Sequence, residues 1–218
     1  YAVSLVTRSL TSKTDTTESI VPIAEFSLFK TTPIIGVMLV IFLLMNLLLS
    51  PLQVLMPSMA KDVFGNSFNS LAILETVIGS GILLGGAILS FFSVQKMQLF
   101  WTWICLVLLS LSFSIFTYKA SFVVAATALF SLGLFLGLAN VLIINILQIS
   151  PKAQHVPKVM SLVNLISTAT LPFSLALFGF LQQTTNIFVL GQFAGLILVL
   201  FSIFSFFPFR RYGQEIFK

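Results

Sequence analysis

Six long apolar runs constrain the fold of this chain more than any other feature of its sequence. A helix needs about 20 apolar residues to cross the ~30 Å hydrocarbon core of a bilayer. Runs of this kind occupy residues 33–56, 71–92, 99–118, 122–148, 159–181 and 187–207. None alternates apolar and polar residues as a barrel strand does, and a segment in lipid must satisfy its own backbone hydrogen bonds. The sequence therefore predicts an all-α integral membrane protein with six transmembrane helices.

Composition indicates that lipid is the solvent of this chain. Hydrophobic residues make up 58% of the sequence and charged residues 8%, whereas a soluble domain has about 25% charged residues. With so few charges, the exterior of a soluble fold would be largely apolar. The net charge of +5 matches the basic excess that cytoplasmic loops of membrane proteins supply. We therefore predict the lipid bilayer as a partner and no nucleic acid.

The placement of Lys and Arg predicts the orientation in the membrane. With six spans both chain ends lie on one side, and nine basic residues fall on that side against two, Lys61 and Lys119, on the other. Basic loops are cytoplasmic, so both ends are predicted to be cytoplasmic in a multi-pass cell-membrane protein. Residues 1–30 are expected to be a cytoplasmic linker or surface segment, residues 31–208 the six-helix domain and residues 209–218 a cytoplasmic tail. Because the sequence begins with Tyr1 without a signal-peptide pattern, we interpret it as part of a longer protein.

Glu75 is the one ionisable side chain within a predicted span. An acid in a membrane helix is costly and usually faces a cavity or a partner. At ~100° per residue, Glu75 shares a face with Gly79, Ile82, Gly86 and Ser90, most of them small or polar. We expect that face to point into the bundle, where desolvation favours the protonated form and suits an acid that exchanges protons. The alternative is an acid about 6 Å inside the helix start, held by the outer interface or the helix dipole.

Polar amides in three other spans are further candidate site residues. In the first span Asn46, Ser50, Gln53 and Pro57 lie on one stripe, which predicts a cavity-lining, locally weakened helix. The others are Asn140, Asn145 and Gln148 in the fourth span and Asn164 in the fifth. Buried amides in lipid are more often hydrogen-bonding groups between helices than ligand contacts, so both interpretations stay open.

Glycines at four-residue spacing predict close helix packing. Helices in lipid have no hydrophobic reason to associate, so small residues that allow backbones to approach gain importance. The pairs are Gly81/Gly85, Gly133/Gly137 and Gly191/Gly195, and Gly79 and Gly86 are assigned to packing as well. Contact within one bundle is the favoured interpretation, and a self-dimerising face is the alternative.

Neither a cofactor nor a metal nor a catalytic residue is predicted. The single histidine and the single cysteine, His155 and Cys105, lie far apart in the sequence, and no Gly-rich loop with a Lys indicates nucleotide binding. An intramembrane hydrolase would need a nucleophile and a base inside the membrane, but His155 falls in a loop. We therefore expect a protein that is not an enzyme.

Three stretches resemble the C-terminal six-helix half of a major facilitator superfamily transporter, and are closest to the bacterial macrolide-efflux-like group. The first is NLLLSPLQVLMP at 46–57 with KDVFG at 61–65. The second is LAILETVIGSG at 71–81 with the glycines at 85–86, where the family often has an acid at the position of Glu75. The third is QISP at 148–151, PKVMSL at 157–162, LPF at 171–173 and Gly179.

The resemblance covers about residues 20–207 and implies both a fold and a function. The fold would be a 3+3 inverted repeat in the bacterial inner membrane, partnered by an N-terminal six-helix half of the same protein or by a separate partner. The function would be that of a secondary active permease, which exports an amphipathic small molecule by alternating access with proton coupling. The alternative is a non-transporting or partner-binding six-helix membrane protein, a degenerate half-transporter.

Overall fold

The computed structural model describes residues 33–65, 67–91, 98–118 and 121–207, and every regular element in those ranges is a helix. The helices are α1 (Pro33–Leu49), α2 (Leu52–Asp62), α3 (Ser67–Phe91), α4 (Gln98–Thr117), α5 (Phe122–Ile149), a 3₁₀ turn (Ala153–His155), α6 (Val156–Gln182) and α7 (Ile187–Phe204). The all-α prediction is confirmed for these residues. The predictions for residues 1–30 and 209–218 lie outside the described residues.

Five helical stretches in the described part of the chain are long and apolar enough to cross a membrane. They are Pro33–Asp62, Phe68–Leu89, Gln98–Thr117, Phe122–Ile149 and Ala153–Leu181. The sixth predicted span corresponds to a shorter apolar helix, Phe188–Phe204. Large apolar side chains such as Leu83 and Phe193 are exposed on the outside of the helices, as expected where lipid replaces water. This is the pattern of a membrane-embedded helical protein.

The first predicted span is divided into two helices at Ser50 and Pro51. Pro51 has no backbone N–H to donate to Leu47 O, and the Ser50 hydroxyl donates to that carbonyl instead, at 2.7 Å. The N–H of Gln53 donates to Ser50 O at 3.1 Å, which is the tighter spacing of a 3₁₀ turn. The predicted weak point therefore lies inside the polar stripe. Pro57, at the end of the stripe, is accommodated within α2.

Helix α5 is central to the packing of the bundle. It lies against α3 and α4 along extensive contacts and also touches α1 and α6. Helix α4 packs on α7, α1 packs mainly on α6, and α2 packs on α3 and α7. The core is apolar, with fully buried side chains that include Phe113, Phe116, Leu129, Leu132 and Ile143. These contacts decide which face of each helix is covered and which remains open.

Candidate functional site

The contact between α3 and α5 is made by two glycine pairs, Gly81/Gly85 and Gly133/Gly137. A methyl group on Gly81 would lie 2.5 Å from Phe130 O and 2.9 Å from Leu134 N, which leaves no room for a side chain. A methyl group on Gly85 would likewise overlap Leu134 O. On the opposing helix, methyl groups on Gly133 and Gly137 would overlap the carbonyl oxygens of residues Ile78 and Ile82. The two pairs thus face each other within one bundle, as small residues allow.

The third pair, Gly191 and Gly195 of α7, also lies against helices of the same chain. A methyl group on Gly191 would stand 2.7 Å from Leu55 Cδ1 and 3.2 Å from Thr117 Cγ2. One on Gly195 would stand 3.0 Å from Ser114 Oγ. Here the neighbours are mainly side chains of α2 and α4, which can shift more easily than a backbone.

Gly79 and Gly86 differ from the other glycines, and the prediction that they pack against a helix needs correction. A side chain added at either position would meet nothing within 4 Å. Only the backbone of Gly86 approaches another helix, since its nitrogen lies 3.1 Å from the position of a methyl group on Gly137. Gly79 and Gly81 are two residues apart, so they point about 200° apart around α3. The side of α3 that bears Gly79 is therefore open.

Glu75 lies on the same open side, and the prediction that it reaches the interior of the bundle is wrong for this chain. Its side chain is exposed, whereas the adjacent Leu74 is fully buried. Glu75 has neither a hydrogen bond nor an ion pair with any residue that the structure describes. The covered side of α3 is the one with Gly81 and Gly85, because only that side admits the backbone of α5.

The depth of Glu75 in its helix also differs from the expectation. Helix α3 begins at Ser67, four residues before the apolar run, so the polar residues Ser67, Asn69 and Ser70 belong to the helix. Glu75 is therefore eight residues, or about 12 Å, inside the helix start. The effect of the helix dipole fades within the first turn. The structure thus removes the support for a carboxylate that merely interacts with the helix N-terminus.

The amides of the candidate site are distributed over several helices. Asn46 is half-buried and donates from Nδ2 to Phe42 O at 2.8 Å. Gln148 is exposed, and its Nε2 lies 3.9 Å from Met160 Sδ, which links the end of α5 to α6. The remaining four have no hydrogen-bond partner among the described residues: exposed Gln53 and Asn164, and half-buried Asn140 and Asn145.

Apart from Gln148, which contacts Met160 of α6, these amides make no hydrogen bond between the described helices. Across residues 33–65, 67–91, 98–118 and 121–207, no hydrogen bond joins two of the seven candidate polar residues. The structure therefore does not bring them together by direct contact. What Glu75, Gln53 and Asn164 share is that their side chains are exposed although they lie in apolar helical stretches.

The hydrogen bonds between α4 and α7 were not predicted from the sequence. Trp103 Nε1 donates to Ser202 O at 2.9 Å, and the hydroxyl oxygens of Ser110 and Ser202 lie 3.1 Å apart. Ser110 and Ser202 are buried, and such hydrogen bonds between helices stabilise bundles in lipid. The available signal was the presence of serines within otherwise apolar runs. Their mutual contact joins residues far apart in the sequence and required the fold.

No protein family, characterised protein or solved structure matches this chain. Within the described ranges, no three side chains of His, Cys, Asp or Glu are grouped so that they could hold a metal ion. The features that remain for a functional interpretation are the open carboxylate of α3, the broken first stretch and the exposed amides.

Proposed function

We propose that this chain forms one wall of the substrate pathway of a secondary active transporter. The observation that carries the proposal is the position of Glu75, an exposed carboxylate within the apolar helical stretch Phe68–Leu89. A carboxylate in contact with lipid tails is strongly disfavoured, and acids at such positions face a cavity or a protein partner. The open side of α3 is therefore better suited to an aqueous pathway than to lipid.

The break at Ser50 and Pro51 supports the same proposal. It falls near the middle of the 30-residue stretch Pro33–Asp62. Interrupted helices near the centre of the bilayer are typical of substrate sites in secondary transporters, because irregular backbone is tolerated where it lines a cavity. The exposed amide of Gln53 lies directly after this break, and exposed Ser161, Asn164 and Thr168 add polar groups on α6.

The resemblance to the major facilitator superfamily gives the proposal its particular form. The chain would be the C-terminal six-helix half, with α7 as the sixth span, and another six-helix half would complete the pathway. The transporter would export an amphipathic small molecule across the cell membrane by alternating access, with Glu75 exchanging protons. In the alternative, a non-transporting six-helix protein, a partner would cover the open side of α3 permanently.

Whether water reaches the open side of α3 distinguishes a substrate pathway from a surface that faces lipid or is permanently covered by a partner. We expect Gly79→Cys, on a Cys105→Ser background, to react with a water-soluble thiol reagent in membranes, because the position is open and thiolates form only where water reaches. Phe193→Cys is the control, since Phe193 is a 60% exposed apolar side chain on α7, away from the open side of α3. We expect this cysteine to react slowly. Equal, slow reaction of both cysteines would contradict the proposed pathway.

The proposed orientation is tested by labelling intact cells. On the Cys105→Ser background, cysteines introduced at Tyr1 and Lys218 are expected to react with a membrane-impermeant thiol reagent only after permeabilisation, because basic residues concentrate on their side. A cysteine at Lys61, on the opposite side, should react in intact cells. Strong labelling of either chain end from outside would rule out six spans with both ends in the cytoplasm.

A further inference from the structure

We propose that five aromatic rings at one end of α4 and α7 anchor the protein in the interfacial layer of the membrane, between the lipid headgroups and the acyl chains. This aromatic cluster consists of Phe100, Trp101, Trp103, Phe206 and Phe207. The proposal goes beyond the transport pathway, which lies along α3. The occupant of the surface is phospholipid, recognised by the ester carbonyl oxygens that lie at this depth.

The rings of the aromatic cluster form a continuous chain from α4 to the residues that follow α7. The centroid distances are 6.4 Å from Trp101 to Phe100, 6.1 Å from Phe100 to Trp103, 5.0 Å from Trp103 to Phe206 and 6.5 Å from Phe206 to Phe207. All of them except half-buried Trp103 are exposed, Trp101 by 48% and Phe207 by 69%. The cluster is therefore a broad aromatic surface that two helices share.

The two indole groups of the cluster differ in their hydrogen bonding. The N–H of Trp103 donates to Ser202 O at 2.9 Å, whereas the N–H of exposed Trp101 has no hydrogen-bond partner among the residues that the structure describes. An indole is a donor only, and acyl chains offer no acceptor, so this donor is disfavoured in hydrocarbon. At the interface the ring contacts acyl chains while the N–H donates to a lipid carbonyl or to water. Trp101 therefore fits the interfacial layer better than the hydrocarbon core.

The position of the cluster along the helices indicates the same depth. Trp101 is the fourth residue of α4, and Phe206 follows the last residue of α7 by two positions. At the other end of α4, Tyr118 is 65% exposed. It follows Trp101 by seventeen residues, which is about 26 Å along a helix and close to the ~30 Å thickness of the hydrocarbon core. Aromatic side chains with a polar tip thus lie at both ends of the apolar length of α4, as tryptophan and tyrosine do at the two interfaces of a membrane.

Quenching by brominated phosphatidylcholine measures the depth of Trp101 in the complete, reconstituted protein. One lipid carries bromine near the ester end of its acyl chains and a second lipid carries it near their methyl end. The difference in tryptophan fluorescence between the wild type and Trp101→Phe isolates the signal of Trp101. We expect the lipid with shallow bromine to quench this signal at least about twofold more strongly than the lipid with deep bromine, because tryptophan favours the interface. Trp101→Tyr gives the same subtraction if the phenylalanine variant reconstitutes poorly.

A matched control places the same fluorophore deeper on the same face of α4. Leu108 is exposed and lies seven residues after Trp101, which is about 10 Å further along the helix. In Trp101→Phe/Leu108→Trp we expect the lipid with deep bromine to be the stronger quencher. Equal quenching of Trp101 by both lipids, or stronger quenching by deep bromine, would overturn the interfacial position. Quenching in the control but none of Trp101 by either lipid would show that a protein surface covers the cluster, and would overturn phospholipid as its occupant.

Discussion

Replacement of Glu75 by glutamine is expected to abolish proton-driven efflux in the complete transporter while leaving its amount in the membrane nearly unchanged. Glutamine retains the size and hydrogen-bonding reach of the side chain but cannot exchange a proton. Folding should be little affected, because Glu75 is exposed and makes neither a hydrogen bond nor an ion pair with any residue in the described part of the chain. Glu75→Asp should retain part of the activity, because it is shorter but still ionisable.

The measurement is efflux of an amphipathic fluorescent dye that the wild type extrudes, with and without an imposed proton gradient. Membrane expression is quantified for each variant. Thr76→Val, one residue further along α3, is the control, since the Thr76 hydroxyl is occupied by a 2.7 Å hydrogen bond to Ala72 O in its own helix. Wild-type efflux by Glu75→Gln would end the proton-coupling proposal and leave Glu75 with a structural role.

Alanine substitutions of glycines should lower the stability of the protein at the contact between α3 and α5 but not on the open side of α3. Gly137→Ala is expected to lower the free energy of unfolding by about 1–3 kcal/mol, the usual cost of overpacking. The reason is that the new methyl group would overlap the carbonyl oxygen of Ile82, and a helix backbone cannot move aside as a side chain can. Gly85→Ala should behave in the same way, since its methyl group meets the backbone of Leu134.

Gly79→Ala supplies the matched control for this series. It adds the same methyl group in α3, but into open space, so its effect should lie within about 0.5 kcal/mol or be slightly stabilising through helix propensity. Unfolding in mixed micelles with increasing denaturing detergent measures all three variants against the wild type. Equal stabilities of Gly79→Ala and Gly137→Ala would show that α3 and α5 do not make the contact described.

The helices could be predicted from the sequence because membrane spans are defined by length and hydropathy. The predicted run at 99–118 and the observed helix Gln98–Thr117 differ by one residue at each end. Helix ends formed by polar residues were harder to predict, as in the helix Ser67–Phe91, whose first turn is not apolar. The break at Pro51 was predictable in kind but not in its exact position, because two prolines lie close together and only the fold shows that Pro57 is accommodated within a helix.

The sequence did not predict in the same way which face of each helix packs against a neighbouring helix. Helix α3 has small residues on opposite sides, with Gly79 and Gly86 on one and Gly81 and Gly85 on the other. Helical periodicity identifies both faces but does not say which receives a neighbour. The neighbour is α5, whose Gly133 and Gly137 lie about fifty residues further along the chain and contact the backbone carbonyls of Ile78 and Ile82. The inward assignment of Glu75 failed for this reason.

The interlocked glycines of α3 and α5 have a mechanical consequence. Side chains can change rotamer as helices slide past each other, but backbone atoms in direct contact offer no such freedom. The two helices are therefore expected to move together as one rigid unit. Helix α6 contacts its neighbours less extensively than α3 and α5 do, and the same is true of α1 and α2. Glu75 thus lies on a helix that is held tightly against its neighbour, and large displacements are expected in other parts of the protein.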